Sequence, residues 1–180
     1  MAGMLIKKED FLLKNTPSLA KKLLGKILVK KIGNKEMRAV ILETEAYNGF
    51  LDKASHAHKG KTGRNMIMFQ EAGGWYVYFV YGNHFMLNLV TGPKEYPAAI
   101  LIRGVEILPE RKRIDGPGRL TKFLKIDKNL NGEAVGKKSG LWIEDGGVRI
   151  SQKEIEELPR VGVDYAGEEW AGKLWRFRLK

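Results

Sequence analysis

Glu43, Glu45 and Tyr47 stand two residues apart in AVILETEAYNGF, residues 39–50. The apolar run from Ala39 to Leu42 reads as a strand. Strand side chains alternate faces, so both carboxylates and the phenol should point the same way. Such a group suits general acid–base work; it also suits a solvated face carrying ion pairs in a lysine-rich protein. His56 and His58 follow closely in DKASHAHKG. With Glu43 and Glu45 they include every ligand type that zinc accepts from a cysteine-free chain. Against a metal stand the glycine- and lysine-rich loop, the lack of an HExxH spacing and a surrounding positive charge that opposes a cation. A histidine beside aromatic residues more simply stacks on a flat ligand or donates a hydrogen bond. Nucleophilic triads find no support, because there is no cysteine and Ser55, Ser139 and Ser151 lie outside any nucleophile elbow. GPGRL, residues 116–120, lacks the lysine of a phosphate-cradling loop, but its glycines and Arg119 at a helix start suit one backbone phosphate.

The balance of charge narrows the partner. Lys and Arg number 32 against 21 Asp and Glu, a formal net charge of +11 in 180 residues. A basic surface attracts phosphates and releases their counterions, so a polyanion is the expected ligand. Zero cysteines exclude disulfides and thiolate metal sites. The N-terminal MAGMLIKKEDF has no apolar signal core, and no apolar run reaches membrane-spanning length. The expectation is an intracellular protein of the cytoplasm and nucleoid, or of a nucleus, with no membrane partner.

The elements that must position these residues are short. Thr16-Pro17 predicts a helix start with Thr16 as cap, Leu19, Ala20, Leu23 and Leu24 as its apolar face and Gly25 as its end. Residues 26–32, a Gly33-Asn34 turn and residues 37–42 predict a hairpin, with further strands at 98–105, 141–144, 148–150 and 175–179. Short helices are expected after Thr62 and around 119–124. In WYVYFVYGNHFMLNLV, a two-residue Gly82-Asn83 turn would put Phe79, Tyr81, His84, Met86 and Asn88 on one face and Tyr76, Tyr78, Phe85 and Leu87 on the other. No alternating βαβ pattern or repeat is present. The fold class that follows is α+β: one domain over residues 1–180, a strongly curved, mostly antiparallel sheet in the manner of an open barrel or roll, peripheral short helices and a protruding hairpin. LPRVGV, residues 158–163, superficially resembles the hairpin of helix-hairpin-helix DNA enzymes, but DYAGEEW after it supplies little apolar helix, so a strand or turn is expected there.

Taken together, LLGKILVKK, ETEAYNG, DKASHAHKGKTGRNMIMF, GGWYVYFVYGNHFMLNLV, AAILIRGVE, GPGRLTKFLKID, SGLWIEDG and the closing WRF resemble the alkyladenine (3-methyladenine) DNA glycosylases, in order and over nearly the whole chain. ETEAY combined with YVYxxYG and GPGRL is highly specific; any one alone is not. The resemblance implies that Glu45 is the general base that activates water and that Arg103 lies near this carboxylate and its water. It also implies that Tyr47, His56 and Tyr78 wall an aromatic pocket with Asn88 at its floor, and that Tyr81 intercalates in DNA. Arg64 and Arg119 are expected on the DNA backbone. No metal and no cofactor are implied, and Glu43 is expected to be a structural partner.

The function so implied is a monofunctional, monomeric glycosylase. It would flip alkylated and deaminated purines out of duplex DNA and hydrolyse the N-glycosidic bond, leaving an abasic site for base excision repair. The rival from another class is a non-catalytic basic nucleic-acid-binding module, in which a carboxylate at position 45 would face a phosphate groove to no purpose. Tyr78 and Asn88 fall on opposite faces of the expected hairpin although the resemblance puts them in one pocket; a bulge or strong curvature would reconcile them.

Overall fold

The computed structural model describes residues 3–12, 15–80 and 84–180. Among the described residues ten strands form one sheet that does not close: β1 (Met4–Leu5), β2 (Ile27–Ile32), β3 (Lys35–Asn48), β4 (Trp75–Val80), β5 (His84–Val90), β6 (Ala98–Leu108), β7 (Lys112–Asp115), β8 (Leu141–Asp145), β9 (Ile155–Leu158) and β10 (Arg176–Leu179). The main path runs β1-β8-β2-β3-β6-β5-β4, and all pairings among the described residues are antiparallel. The two long strands β3 and β6 lie side by side at its centre. On its other edge, β3 takes β2 along its first half and β10 along its second. The α+β class expected from sequence is what is found.

Helix α1 (Thr16–Leu23) covers one face of the sheet, burying Leu19, Ala20 and Leu23 as its spacing predicts, and Gly25 at φ +78° follows it. Its cap, however, is Asn15, whose side chain accepts from the Ser18 N–H at 3.0 Å. The Thr16 hydroxyl instead donates to Asn48 Oδ1 at 2.9 Å, tying the helix to the end of β3. The residues expected as a strand at 148–150 lie in irregular structure; β10 pairs with β9 on the edge away from β3. Residues after Thr62 form one 3-10 turn, Met66–Phe69.

Two adjacent register shifts make the site possible. Ile41 opposes Val105, Glu43 opposes Gly104 and Thr44 opposes Ile102, which leaves Leu42 on β3 and Arg103 on β6 each without a counterpart on the other strand. Inserting one residue into a strand exchanges its faces. Before the shift Ala39 and Ile41 belong to the main core; after it Ala46 does, and the Thr44 hydroxyl donates to Ala20 O of α1. On β6 the same exchange separates Val105 and Ile107 from Ile100 and Ile102, all of them core residues. Without the shift, Glu43, Glu45 and Tyr47 would continue the phase of Ile41 into the core. With it they face the opposite side. Because each strand carries one extra residue, the ladder is back in step within a few residues.

The β4–β5 hairpin corrects the expected faces. Val80 pairs with His84, Tyr78 with Met86 and Tyr76 with Asn88. Three residues, not two, separate the last paired positions, and directly opposite residues share a face. Tyr76, Tyr78, Met86 and Asn88 therefore share one face, whereas Trp75, Val77, Leu87 and Leu89 take the other and belong to the main core. No bulge is needed to bring Tyr78 and Asn88 together. The expected Gly82-Asn83 turn and Tyr81 lie outside the described residues.

Helix α2 (Pro117–Phe123) braces this hairpin, its Thr121 hydroxyl donating to Phe85 O at 2.8 Å. Gly118 allows the approach: a Cβ there would stand 2.7 Å from His84 Cγ and 2.8 Å from His84 Cβ. The obstructing atoms are close to the backbone, so the helix or the strand must move. Gly118→Ala should therefore cost about 1–3 kcal/mol, as overpacking does, seen as a lower urea midpoint with little change in slope.

Candidate active site

The face opposite α1 carries a cavity of about 360 Å³, lined among others by Glu45, Tyr47, His56, Tyr78, Asn88 and Arg103. Its size falls within the roughly 300–1,000 Å³ of small-molecule sites. All six residues that the sequence assigns to catalysis and base binding thus meet at one place, from β3, β4, β5, β6 and the loop after β3.

Glu45 forms part of the inner wall and is completely buried. Its Oε1 accepts from the Tyr47 hydroxyl at 2.6 Å; Oε2 accepts from the Val161 N–H at 3.2 Å and lies 3.3 Å from Arg103 Nη1. Arg103 also reaches Glu43 Oε1 through Nε at 3.2 Å, so a single guanidinium spans both acids. The position of Arg103 at the register shift on β6 is what turns it toward them. Glu43 is further held by Arg176 Nη1 at 3.0 Å, and Arg176 Nε donates to Pro159 O at 2.8 Å. Glu43 is thus an anchor for two arginines, in line with the partner role expected of it.

Burial holds the Glu45 carboxyl above the usual carboxylate range, against the opposing pull of Arg103, the Tyr47 hydroxyl and the Val161 N–H. The basic neighbours favour the charged form, but burial outweighs them.

The walls are aromatic and uncharged. The His56 and Tyr78 rings meet edge to face, with centroids 4.6 Å apart, and His56 Nδ1 lies 3.2 Å from the Tyr76 hydroxyl. Burial, then the nearby Arg64, push the His56 pKa down, which keeps the imidazole neutral near pH 7. Burial also raises the Tyr78 and Tyr47 phenols and pushes that of Tyr76 up to about 12. Asn88 is buried, its amide N–H groups donating to Tyr76 O and Met86 O at 3.1 and 3.3 Å. That commitment leaves the amide oxygen as an acceptor.

Of the basic residues expected on the DNA backbone, Arg64 stands at the edge of the site, its guanidinium 5.8 Å from the Tyr78 ring centroid and donating to Phe79 O at 3.0 Å. Arg119 is exposed on α2, apart from the cavity, and makes no ion pair with another described residue. Tyr81 lies outside the described residues. Among the described residues no group of three or more metal-ligating side chains is gathered in one place, and no helix is long and apolar enough to cross a membrane.

The segment set aside as a strand or turn proves to be one side of the site. After β9 ends at Leu158, Val161, Gly162, Val163 and Tyr165 line the cavity, and the Val161 N–H holds Glu45. The Tyr165 hydroxyl donates to Ala54 O at 2.8 Å, bridging to the loop that carries His56. Tyr76 and Met86, placed on opposite faces by the expected register, both line the cavity. Val161, Gly162 and Val163 have no period that marks them as part of a site; only their place in space does.

A family profile described as methylpurine-DNA glycosylase matches residues 10–180. A relative from Methanocella arvoryzae, provisionally named 3-methyladenine DNA glycosylase, is 43% identical over 182 residues, covering 93% of this chain and 89% of its own length. Relatives of the same provisional name from Borreliella burgdorferi (40% identical, 94% of each chain) and Clostridium perfringens (37%, 95% and 94%) agree with it. The likeness spans β2 through β10 and every described residue of the cavity. The chain belongs to the methylpurine-DNA glycosylase family and is a hydrolytic DNA N-glycosylase.

Proposed function

We propose that the protein extrudes alkylated purines from duplex DNA into the aromatic cavity and cleaves the N-glycosidic bond with a water activated by Glu45. The observation that carries this is the carboxylate of Glu45 on the inner wall of a cavity sided by Tyr47, His56, Tyr76 and Tyr78. A base inside a duplex is out of reach, and extruding it costs a few kcal/mol. Stacking on aromatic faces returns about 1–3 kcal/mol per base. A cationic methylated purine gains further from electron-rich rings, and a neutral His56 does not repel it. Filling the vacated stack is the task that the resemblance gives to Tyr81.

Cleavage develops positive charge on the sugar as water attacks, so one carboxylate serves twice: it takes the proton and stabilises the cationic centre. Oε2 already has two donors, Val161 N–H and Arg103, whereas Oε1 has one, the Tyr47 hydroxyl. A carboxylate offers about four lone-pair sites, which makes Oε1 the freer acceptor. Glu45 presents no surface to solvent in this conformation. The Tyr47 hydroxyl, the donor to Oε1 and carried on a rotatable side chain, is the group whose displacement opens that oxygen to water. Asn88 supplies an acceptor at the floor for sorting purines by their edges. Arg64, beside the Tyr78 ring, and Arg119, exposed on α2, would meet backbone phosphates.

Release of free methyladenine from a methylated duplex, with an alkali-labile abasic site left behind, is the expected result; binding without base release would favour a recognition module. Trapping with borohydride should yield no covalent protein–DNA adduct, since an adduct would make an amine, not water, the nucleophile. Tyr78→Ala should weaken capture of the extruded base about 5–150-fold, the equivalent of one stacking contact. Its affinity for undamaged duplex should not change, which a titration of both duplexes would show.

A further inference from the structure

Arg160 lies one residue before the Val161 N–H that holds Glu45, and its side chain is fully buried. It makes a two-pronged ion pair with Asp52, Nη1 to Oδ2 at 2.6 Å and Nη2 to Oδ1 at 2.9 Å. The same two nitrogens donate to Ala46 O at 3.1 Å and Trp170 O at 3.0 Å. The guanidinium lies between two rings, 5.1 Å from the centroid of Tyr47 and 5.0 Å from that of Trp175. Asp52 in turn accepts from the N–H groups of Asn48 and Ala54, both at 3.1 Å, and so shapes the turn between Tyr47 and His56. One buried pair therefore joins the loop that carries Val161 to the turn that links two walls of the cavity.

Stability alone is a weak reason for such a pair, because the desolvation of two charges largely cancels their attraction. The Nε of Arg160 makes no hydrogen bond with any described residue, a further cost that an apolar filling would avoid. What an apolar filling could not do is fix two loops at one distance and orientation. The planar fork of an arginine does this, meeting a carboxylate and two backbone carbonyls at once.

We propose that Arg160, locked to Asp52, is a positioning residue for base excision: it keeps the Val161 N–H on the Glu45 carboxylate and the Tyr47 ring beside it, so that the proton-accepting oxygen faces the scissile bond. This rests on the assignment of Glu45 as the base. Arg160 does not line the cavity. It acts by narrowing the positions open to the groups that do, and a misplacement of about 1 Å at a reacting centre costs on the order of a hundredfold in rate.

Arg160→Lys tests it, since lysine keeps the charge but cannot span Asp52, Ala46 and Trp170 from one point. The single-turnover excision rate should fall about 10–100-fold, while affinity for a duplex with an uncleavable abasic analogue stays within about threefold. The acid limb of the rate profile should also move to higher pH, because Glu45 loses a donor that favours its charged form. Wild-type excision with an unmoved limb, or a loss that only follows the folded fraction, would overturn the proposal. Should the lysine variant not fold, hydrogen exchange on the wild-type protein decides. The Val161 amide should exchange at least about a hundredfold more slowly than in an unfolded peptide, and exchange at the free rate refutes the clamp. Glu45→Gln, run alongside, separates the two ideas: a silent Gln variant with an unmoved lysine profile removes Arg160 alone, and an active Gln variant removes the base itself.

Discussion

Glu45→Gln should lower the single-turnover excision of a methylated purine by about 10²–10⁴, the usual worth of general acid–base help, while leaving affinity for damaged duplex within a few fold. Glutamine keeps the volume of the side chain and an oxygen for the Val161 N–H and Arg103; the Tyr47 hydroxyl can rotate to accept from its amide. The lost function is proton acceptance. The same change should not destabilise the protein at neutral pH. The folded-state pKa of Glu45 is raised above its ordinary value of 4.5, chiefly by burial. A group shifted upward contributes its stability below the unfolded value and loses it as pH rises through the folded one. The ionised carboxylate that chemistry needs is thus a cost to the fold at pH 7, and glutamine removes that cost. Thermal unfolding of both proteins from pH 4 to pH 8 would check it: their melting temperatures should draw together in acid, and the Gln variant should be at least as stable at pH 8. In the wild type, excision should have an acid limb centred above 4.5, absent from the residual activity of the variant. A Gln variant with wild-type rates would remove Glu45 from the mechanism.

Arg103→Met should be the more damaging change for the fold. The guanidinium is 13% exposed and is shared by Glu43 and Glu45. Glu43 keeps Arg176; Glu45 loses its nearest cation and keeps its burial. Removing one partner from a buried charge network costs about 3–5 kcal/mol, and at this chain length each kcal/mol lowers the melting temperature by about 2–4 °C. The loss should be largest at pH 8, where Glu45 is charged, and smaller in acid, where a proton relieves it. Activity should follow the same logic. With the largest of the groups that oppose burial gone, the acid limb moves to higher pH, so the defect is deepest on the acid side and partly recovered in alkali. Urea unfolding at two pH values and a rate profile of the folded variant measure both effects. An acid limb left in place would mean that Arg103 is not what keeps the carboxylate charged.

Part of the site was legible in the chain because residue types suited to acid–base chemistry stand close together in it. Two acids and a tyrosine in one strand phase, with histidines in the polar loop after them, marked Glu43, Glu45, Tyr47, His56 and His58 as candidates, and the family resemblance added Tyr78, Asn88 and Arg103. The apolar spacing of α1, the Gly33-Asn34 hairpin and the central strand at residues 98–105 followed from local periodicity and turn chemistry alone. Where sequence reasoning failed, the deciding quantity was not local. The faces of β4 and β5 depend on whether the connection has two residues or three, a difference of one that exchanges every side chain. The phase of Glu45 depends on paired register shifts at Leu42 and Arg103, which hold only because both strands shift together.

By itself, then, the amino-acid sequence determined α1 and the longer strands, the basic character of the chain and the kinds of side chain available for the reaction, since these depend on neighbours within a few positions. Tertiary structure decided which of them share a cavity, the net direction of the Glu45 pKa and the part played by residues 159–165. Burial, opposed charges and a salt bridge between Asp52 and Arg160 arise only when segments distant in the chain are brought within a few ångströms, and no short stretch of sequence carries that distance.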